Sequence, residues 1–368
     1  MSPPRPEMAP FPVEHLSHHS RIQGVAHSAT TLMTIPREVR NRILEEVLLQ
    51  PTIALPNLDT VENLLKERIE LPPQGLTAWS TKDAKFPHSP CRIHPIFLVN
   101  QQLNEEASAT ANLLPSNYVL DVILYQEVYL LPTWIVMPKL IQSADILTCN
   151  FRIAGSCGGP VQHYSGFGGG DGAGPISWII YSLFERLIYY GPWWKATGKE
   201  DEQKRFIIRQ LEVNIMTPPG IQPESFGPPQ SSGNPHRGKN KTAMVLSPMY
   251  LFDFIRQYIW ILLNMQNNWA NYGHLLYENV GRIVFKLDGE VKSDVDVAEV
   301  LHKLNNTCPD DASLSRRQLA EAFQDWKPRV MAKRKSLGLS VAGMDDSEDA
   351  DLEYKSFAQC HNDARVRG

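Results

Sequence analysis

The stretch ADILTCNFRIA (residues 144–154), followed by PISWIIYSLFERLIYY (175–190) and RFIIRQLEVNIM (205–216), reads as strand, helix, strand. NYVLDVIL (117–124) has the same period-two, β-rich character, and NVGRIVFKLDG (279–289) closes the set as a fourth strand. Between the third and fourth lies the long helical run SPMYLFDFIRQYIWILLNMQNNWANY (247–272), and a short helix is expected near LPTWIVMPKLI (131–141). Strand alternating with helix is the mark of parallel β-α units, whose crossovers are right-handed, so consecutive strands should lie side by side in one sheet. The expected fold class is therefore α/β, with a body of about four mainly parallel strands over residues 116–333. A leucine-rich-repeat-like arc is one form such a body could take, although no fixed period of about 20–29 residues is visible.

Two loops interrupt this body. Residues 155–175 hold nine glycines in twenty-one positions, and residues 217–241 are rich in Pro, Gly and Ser, so both read as mobile insertions. Two helices follow the fourth strand. SDVDVAEVLHKLNN (293–306) sets Val297, Val300, Leu301 and Leu304 on one face, and SRRQLAEAFQDW (315–326) opens on a capping-box pair, Ser315 and Gln318. Residues 1–28, with five prolines by position 12, and the charged residues 334–368 are expected to be disordered tails.

Composition narrows the function classes. With 368 residues, 42% hydrophobic and 21% charged, the chain has the make-up of a globular protein with a sizeable core. A net charge of −4 gives no global pull toward nucleic acid or acidic membrane. Five cysteines with no C-x-x-C pair read as free thiols in a reducing compartment. The first residues lack the roughly 7–15 apolar positions of a secretory signal, and the apolar runs fall short of the roughly 20 needed to span a bilayer. An intracellular location, cytoplasmic or nuclear, is expected, with no membrane and no nucleic-acid partner.

No catalytic pattern of the G-x-S-x-G, H-E-x-x-H or D-x-D-x-D-G type occurs. GGGDGA (168–173) matches a dinucleotide fingerprint only formally, about fourteen residues after its strand ends at Ala154, and no P-loop Lys-Ser/Thr follows. His15, His18 and His19 have no accompanying ligand set, and the acidic run from Asp345 to Glu353 reads as a solvated tail. The segment KPRVMAKRK (327–335) fits either a nuclear address or the cationic end of a helix. The aromatics of YYGPWW (189–194), with Trp260, Trp269 and Tyr272, have only Lys195 and Lys199 near them and read as core or a partner-binding patch. No catalysis, no cofactor and no metal are expected.

At the front of the chain, TLMTIPREVRNRILEEVLL (31–49) reads as a helix started by Pro36 and Glu38 and stopped by Pro51. Val39, Ile43 and Val47 form its apolar face with Leu44 and Leu48 beside them, while Arg37, Arg40, Arg42 and Glu46 point away. A second helix, IFLVNQQLNEEASATANLL (96–114), has Ile96, Val99, Leu103 and Ala107 on one side and ends at Pro115. The first helix resembles that of an F-box, with Ile35, Pro36, Glu38, Val39, Ile43 and Leu44 on the motif positions. The second is similar to a segment of fungal F-box-like proteins at Val99, Gln102, Glu105, Glu106 and Ala107. Residues 29–115 are thus read as an F-box-like helical module with an inserted loop.

That resemblance implies a non-catalytic adaptor that recruits a protein substrate to a cullin–RING ubiquitin ligase. Ile35, Pro36, Val39, Ile43 and Leu44 would then form the apolar face that enters a groove of the ligase's linker subunit. Two other readings stand beside it: a scaffolding or interaction protein that keeps the F-box-like fold without ligase binding, its helix packed in its own core, and an enzyme built on the glycine-rich loop.

Overall fold

The structure, a computed structural model, describes residues 32–51, 55, 57, 58, 61–66, 68–70, 78–80, 94–127, 129–155, 175–192, 205–227, 245–265, 270–305, 313–342 and 357–367. The chain divides into two units, Met1–Arg40 and Asn41–Gly368, with the boundary inside the first helix. In the first unit a 3-10 turn, Leu32–Thr34, leads through Pro36 into helix α1, Arg37–Leu48. The Arg40 guanidinium folds back along this unit and donates to the carbonyls of Met33 (3.3 Å) and Ile35 (2.5 Å).

In the second unit two short strands, β1 (Arg68–Glu70) and β2 (Ala78–Ser80), form an antiparallel pair, and the body is built on one six-stranded sheet. The four expected strands are present as β3 (Asn117–Tyr125), β5 (Ser143–Ala154), β6 (Ile207–Met216) and β9 (Val280–Leu287), adjacent in that order and all parallel. An antiparallel strand closes each edge: β4 (Tyr129–Val136) beside β3, and β10 (Glu290–Asp296) beside β9. Both edges depart from expectation. The stretch containing LPTWIV forms β4 rather than a short helix, because Thr133, Trp134, Ile135 and Val136 are strand formers and Pro132 is tolerated on an edge strand. The first half of SDVDVAEV belongs to β10, and helix α7 (Val297–Lys303) starts only where Asp296 accepts from the backbone N–H groups of Ala298 and Glu299. Asp288 and Gly289, at φ +52° and +83°, make the two-residue turn between β9 and β10.

Successive parallel strands are added in one direction across the sheet, so right-handed crossovers return over the same face. On that face Leu120, Val122, Leu147, Cys149, Phe151, Leu211, Val213, Ile283 and Phe285 form one buried cluster with residues of α4 (Pro175–Tyr190), α5 (Pro248–Leu263), α6 (Ala270–Asn279) and α8 (Leu314–Ser336). At Gly273 a Cβ would collide with the Leu262 carbonyl, so only glycine lets α6 lie this close to α5. Helix α9 (Phe357–Arg367) joins the cluster through Phe357, Cys360 and Ala364, so residues 357–367 are helical where the sequence reading placed a disordered tail. The residues expected to be a mobile insertion at 217–241 include a described part, 217–227, whose strand β7 (Phe226–Gly227) pairs in parallel with β8 (Val245–Leu246) beyond it. Among the described residues no helix is long and apolar enough to cross a membrane.

The opposite face of the sheet is polar. One row crosses five strands as Thr133, Asp121, Asn150, Asn214 and Lys286. Asp121 is fully buried and holds Arg152 with two contacts of 2.6 Å. Asn214 donates to Asn150 (2.8 Å) and accepts from the backbone of Gly289 (2.9 Å). Glu212 accepts from Lys286 (2.8 Å), Thr148 (2.9 Å) and Gln210 (2.9 Å). One end of this face is covered by Val61 of α2 (Val61–Lys66), which packs with Ile123, Tyr125, Leu131 and Ala154.

Removing either partner of the Asp121–Arg152 pair should cost about 3–5 kcal/mol, since the other charge is left buried alone. The double change Asp121→Leu/Arg152→Met should recover most of that loss in urea unfolding; single changes within about 1 kcal/mol of wild type would show that water reaches the pair. For Glu212, burial pushes the carboxyl up, but the bonds from Lys286, Thr148 and Gln210 outweigh it and hold the pKa below its ordinary 4.5. A depressed folded pKa means that this stabilisation is complete above 4.5 and is lost as pH falls through the lower folded value. Glu212→Gln should therefore flatten that part of the acid limb; an unchanged slope would contradict the account.

Candidate functional site

Of the expected docking residues, Val39, Ile43 and Leu44 fall on α1 and Ile35 and Pro36 immediately precede it, and the structure separates the helical ones into two edges. Arg40, Leu44 and Leu48, spaced four apart, are the buried edge. Leu48 packs with Ala111 and Leu114 and against Ile96 and Phe97. Val39 and Ile43, the next row round, keep 49% and 36% of their surface exposed, and Pro36 is exposed while Ile35 is half-buried. Leu44, at 0%, is used for the protein's own packing and drops out of the accessible set. Arg40 does not point to solvent as its charge suggested, because its head is satisfied by two backbone carbonyls and its stem is free to pack. Exposed Arg42 bridges Glu45 (2.7 Å) and Glu46 (3.5 Å) on the remaining face.

The second helix is shorter than its periodicity implied. Pro95–Leu98 is a 3-10 turn, Asn100 caps the next helix by accepting from the Leu103 N–H (2.9 Å), and α3 runs from Gln101 to Leu113. Val99 therefore lies outside the helix and is exposed, as are Leu98 and Leu113. Of the positions that carried the resemblance, Glu106 and Ala107 are buried and Gln102 donates to Glu106 (3.1 Å). Val39, Ile43, Leu98, Val99 and Leu113 are exposed apolar side chains within residues 29–115, and others, among them Leu140, Met249, Val291 and Leu314, lie outside that range.

The basic segment 327–335 is built into the fold. It lies within α8, whose cap is Ser313 rather than the expected Ser315. Lys327 donates to the carbonyls of His302 (2.9 Å) and Leu304 (2.8 Å) at the end of α7. Arg334, fully buried, donates to Tyr277 (2.5 Å), Val280 (2.8 Å) and Ser340 (3.0 Å), closing the end of α6. Cations placed on the last carbonyls of a helix satisfy orphan acceptors and the negative end of its dipole. Burial pulls the Arg334 guanidinium down to about 10, which leaves it charged at neutral pH. Lys333 and Arg205 converge on the fully buried Glu278, at 3.1 and 2.5 Å. Burial and the Arg205 charge lower the Lys333 pKa, and Glu278 opposes that shift.

GGGDGA, the three N-terminal histidines, the acidic run from Asp345 and the residues Trp193, Trp194 and Trp269 lie outside the described residues. Among the described residues no group of His, Cys, Asp and Glu could hold a metal ion. Cys149 and Cys360 are buried free thiols.

Arg334→Met should lower stability by about 3 kcal/mol, through the lost charged hydrogen bonds to buried carbonyls. A urea midpoint unchanged by this substitution would release the segment from its structural role and restore it as a candidate address. No protein-family model, curated protein or solved structure matches the chain.

Proposed function

We propose that the chain is a non-catalytic adaptor that docks through α1 on the linker subunit of a cullin–RING ubiquitin ligase and presents a protein substrate held by its α/β body. The observation that carries this reading is the division of α1. Its Arg40–Leu44–Leu48 edge is consumed by the protein itself, while the neighbouring Pro36, Val39 and Ile43 leave apolar surface in water. An amphipathic helix that offers residues at i and i+4 suits insertion into a hydrophobic groove. The F-box resemblance supplies the identity of that groove and adds Ile35, at the start of the helix, to the docking set. Leu44 acts by holding the helix in place.

Exposure makes the test sharp. Val39→Asp/Ile43→Asp should change stability by no more than about 0.5 kcal/mol per site, because each is a surface substitution. The same variant should nonetheless lose the linker subunit in a pull-down that wild type passes. Leu44→Ala, by contrast, should cost about 2–5 kcal/mol and reduce recovery only in proportion to unfolding. Equal recovery with the double Asp variant, or none with wild type, would overturn the ligase reading in favour of a scaffold that shares only the helical layout.

A further inference from the structure

Helix α4 carries Trp178, Tyr181, Glu185 and Tyr189 at spacings that bring them to one side of the helix. Tyr272 of α6 lies against two of these rings, with centroids 5.1 Å from Trp178 and 5.0 Å from Tyr181 and interplanar angles of 78° and 81°. Tyr258 of α5 adds a further buried ring, stacked on Phe254. Perpendicular rings of this kind make the walls of a corner, and their π faces are regions of negative potential.

A half-buried carboxylate stands in the same cluster. Glu185 accepts from the Tyr181 hydroxyl at 3.2 Å and forms no ion pair among the described residues. The cations about this cluster have other contacts: Arg186 of α4 lies over the Tyr190 ring, Arg256 of α5 pairs with Asp253, and Arg205, ahead of β6, lies over the Tyr189 ring while binding Glu278. Asp121, Glu212 and Glu278, by contrast, each have a basic partner: Asp121 has Arg152, Glu212 has Lys286, and Glu278 has Arg205 and Lys333. Burial raises the Glu185 carboxyl above the ordinary glutamate range, opposed by the Tyr181 bond, as befits an acid lacking positive charge.

We propose that Glu185, with the rings of Trp178, Tyr181 and Tyr272, forms a binding site for an alkylammonium group. The carboxylate would supply the counter-charge and the rings the cation–π contacts that a partly desolvated ammonium or quaternary ammonium requires. This site lies on the helix layer of the α/β body and does not depend on what α1 binds. The same chemistry is offered by a small organic amine and by a lysine side chain of a protein.

The test uses the full chain and four probes: choline, its neutral isostere 3,3-dimethylbutan-1-ol, and a short peptide with a central lysine, plain or trimethylated. Titration calorimetry should show saturable binding of choline or of a lysine peptide, with the neutral isostere at least about tenfold weaker than choline where choline binds. Binding of choline alone assigns a small amine, and binding of a peptide alone assigns a protein lysine. Glu185→Gln and Tyr272→Leu should each weaken the bound probe by about tenfold, while Tyr272→Phe retains it and all three keep the wild-type melting profile. No saturable binding of any cationic probe, equal binding of the neutral isostere, or unchanged affinity in Glu185→Gln would overturn the proposal.

Discussion

A sheet whose crossover helices α4, α5 and α6 lie on one side is the constraint from which the rest of this structure follows. Four parallel strands added in one direction place α4, α5 and α6 over the same face, and the apolar side chains of that face go into one core with them. Parallel sheets usually bury both faces in helices. Here the second face solves the problem with side chains that satisfy one another. Asp121 takes Arg152, Glu212 takes Lys286 and Thr148, and Asn214 bridges Asn150 to the β9–β10 turn. Such a face is costly to break and nearly neutral to replace as a whole.

The C-terminal third ties the helix layer together by charge as well as by packing. Trp326 and Val330 enter the core, and from the same helix Lys327 and Arg334 reach across to the carbonyl ends of α7 and α6. A run of cations that resembles an address in one dimension is, in three, a pair of helix caps with an ion-pair network between them. Spacing explains the outcome: Lys327 and Arg334 stand seven apart, two turns along one face of α8.

The four central strands were legible because each is a β-rich run bounded by helical segments or loops, and their adjacency followed from crossover handedness. The edges were less so. In β4 the pattern around Pro132 is open to helix and strand alike, and only pairing with β3 decides it. For β10 the signal was present in Asp288-Gly289, a strong two-residue hairpin turn, but the charged alternation of Glu290, Lys292 and Asp294 mimics a polar helix start. Residues 357–367 have little periodic apolar content, so Phe357 and Cys360 could be assigned to the core only once the neighbouring helices supplied a surface. In α1 the five apolar residues cover a wide arc. Helical period shows that arc but does not say which margin is inward, and Arg40 misleads because its charge is satisfied by local carbonyls. Of the cluster around Glu185 the sequence singled out only Tyr189 and Tyr272, as aromatics, since its meaning depends on α4 and α6 meeting.

The functional account rests on α1 having one edge committed to the fold and one edge free for a partner. Hydrogen–deuterium exchange of the full chain, with and without the purified ligase linker subunit, addresses that claim residue by residue. Added linker should slow exchange over residues 35–46 and leave the sheet strands β5, β6 and β9 unchanged. Protection that spares residues 35–46, or no change anywhere at saturating linker, would contradict it.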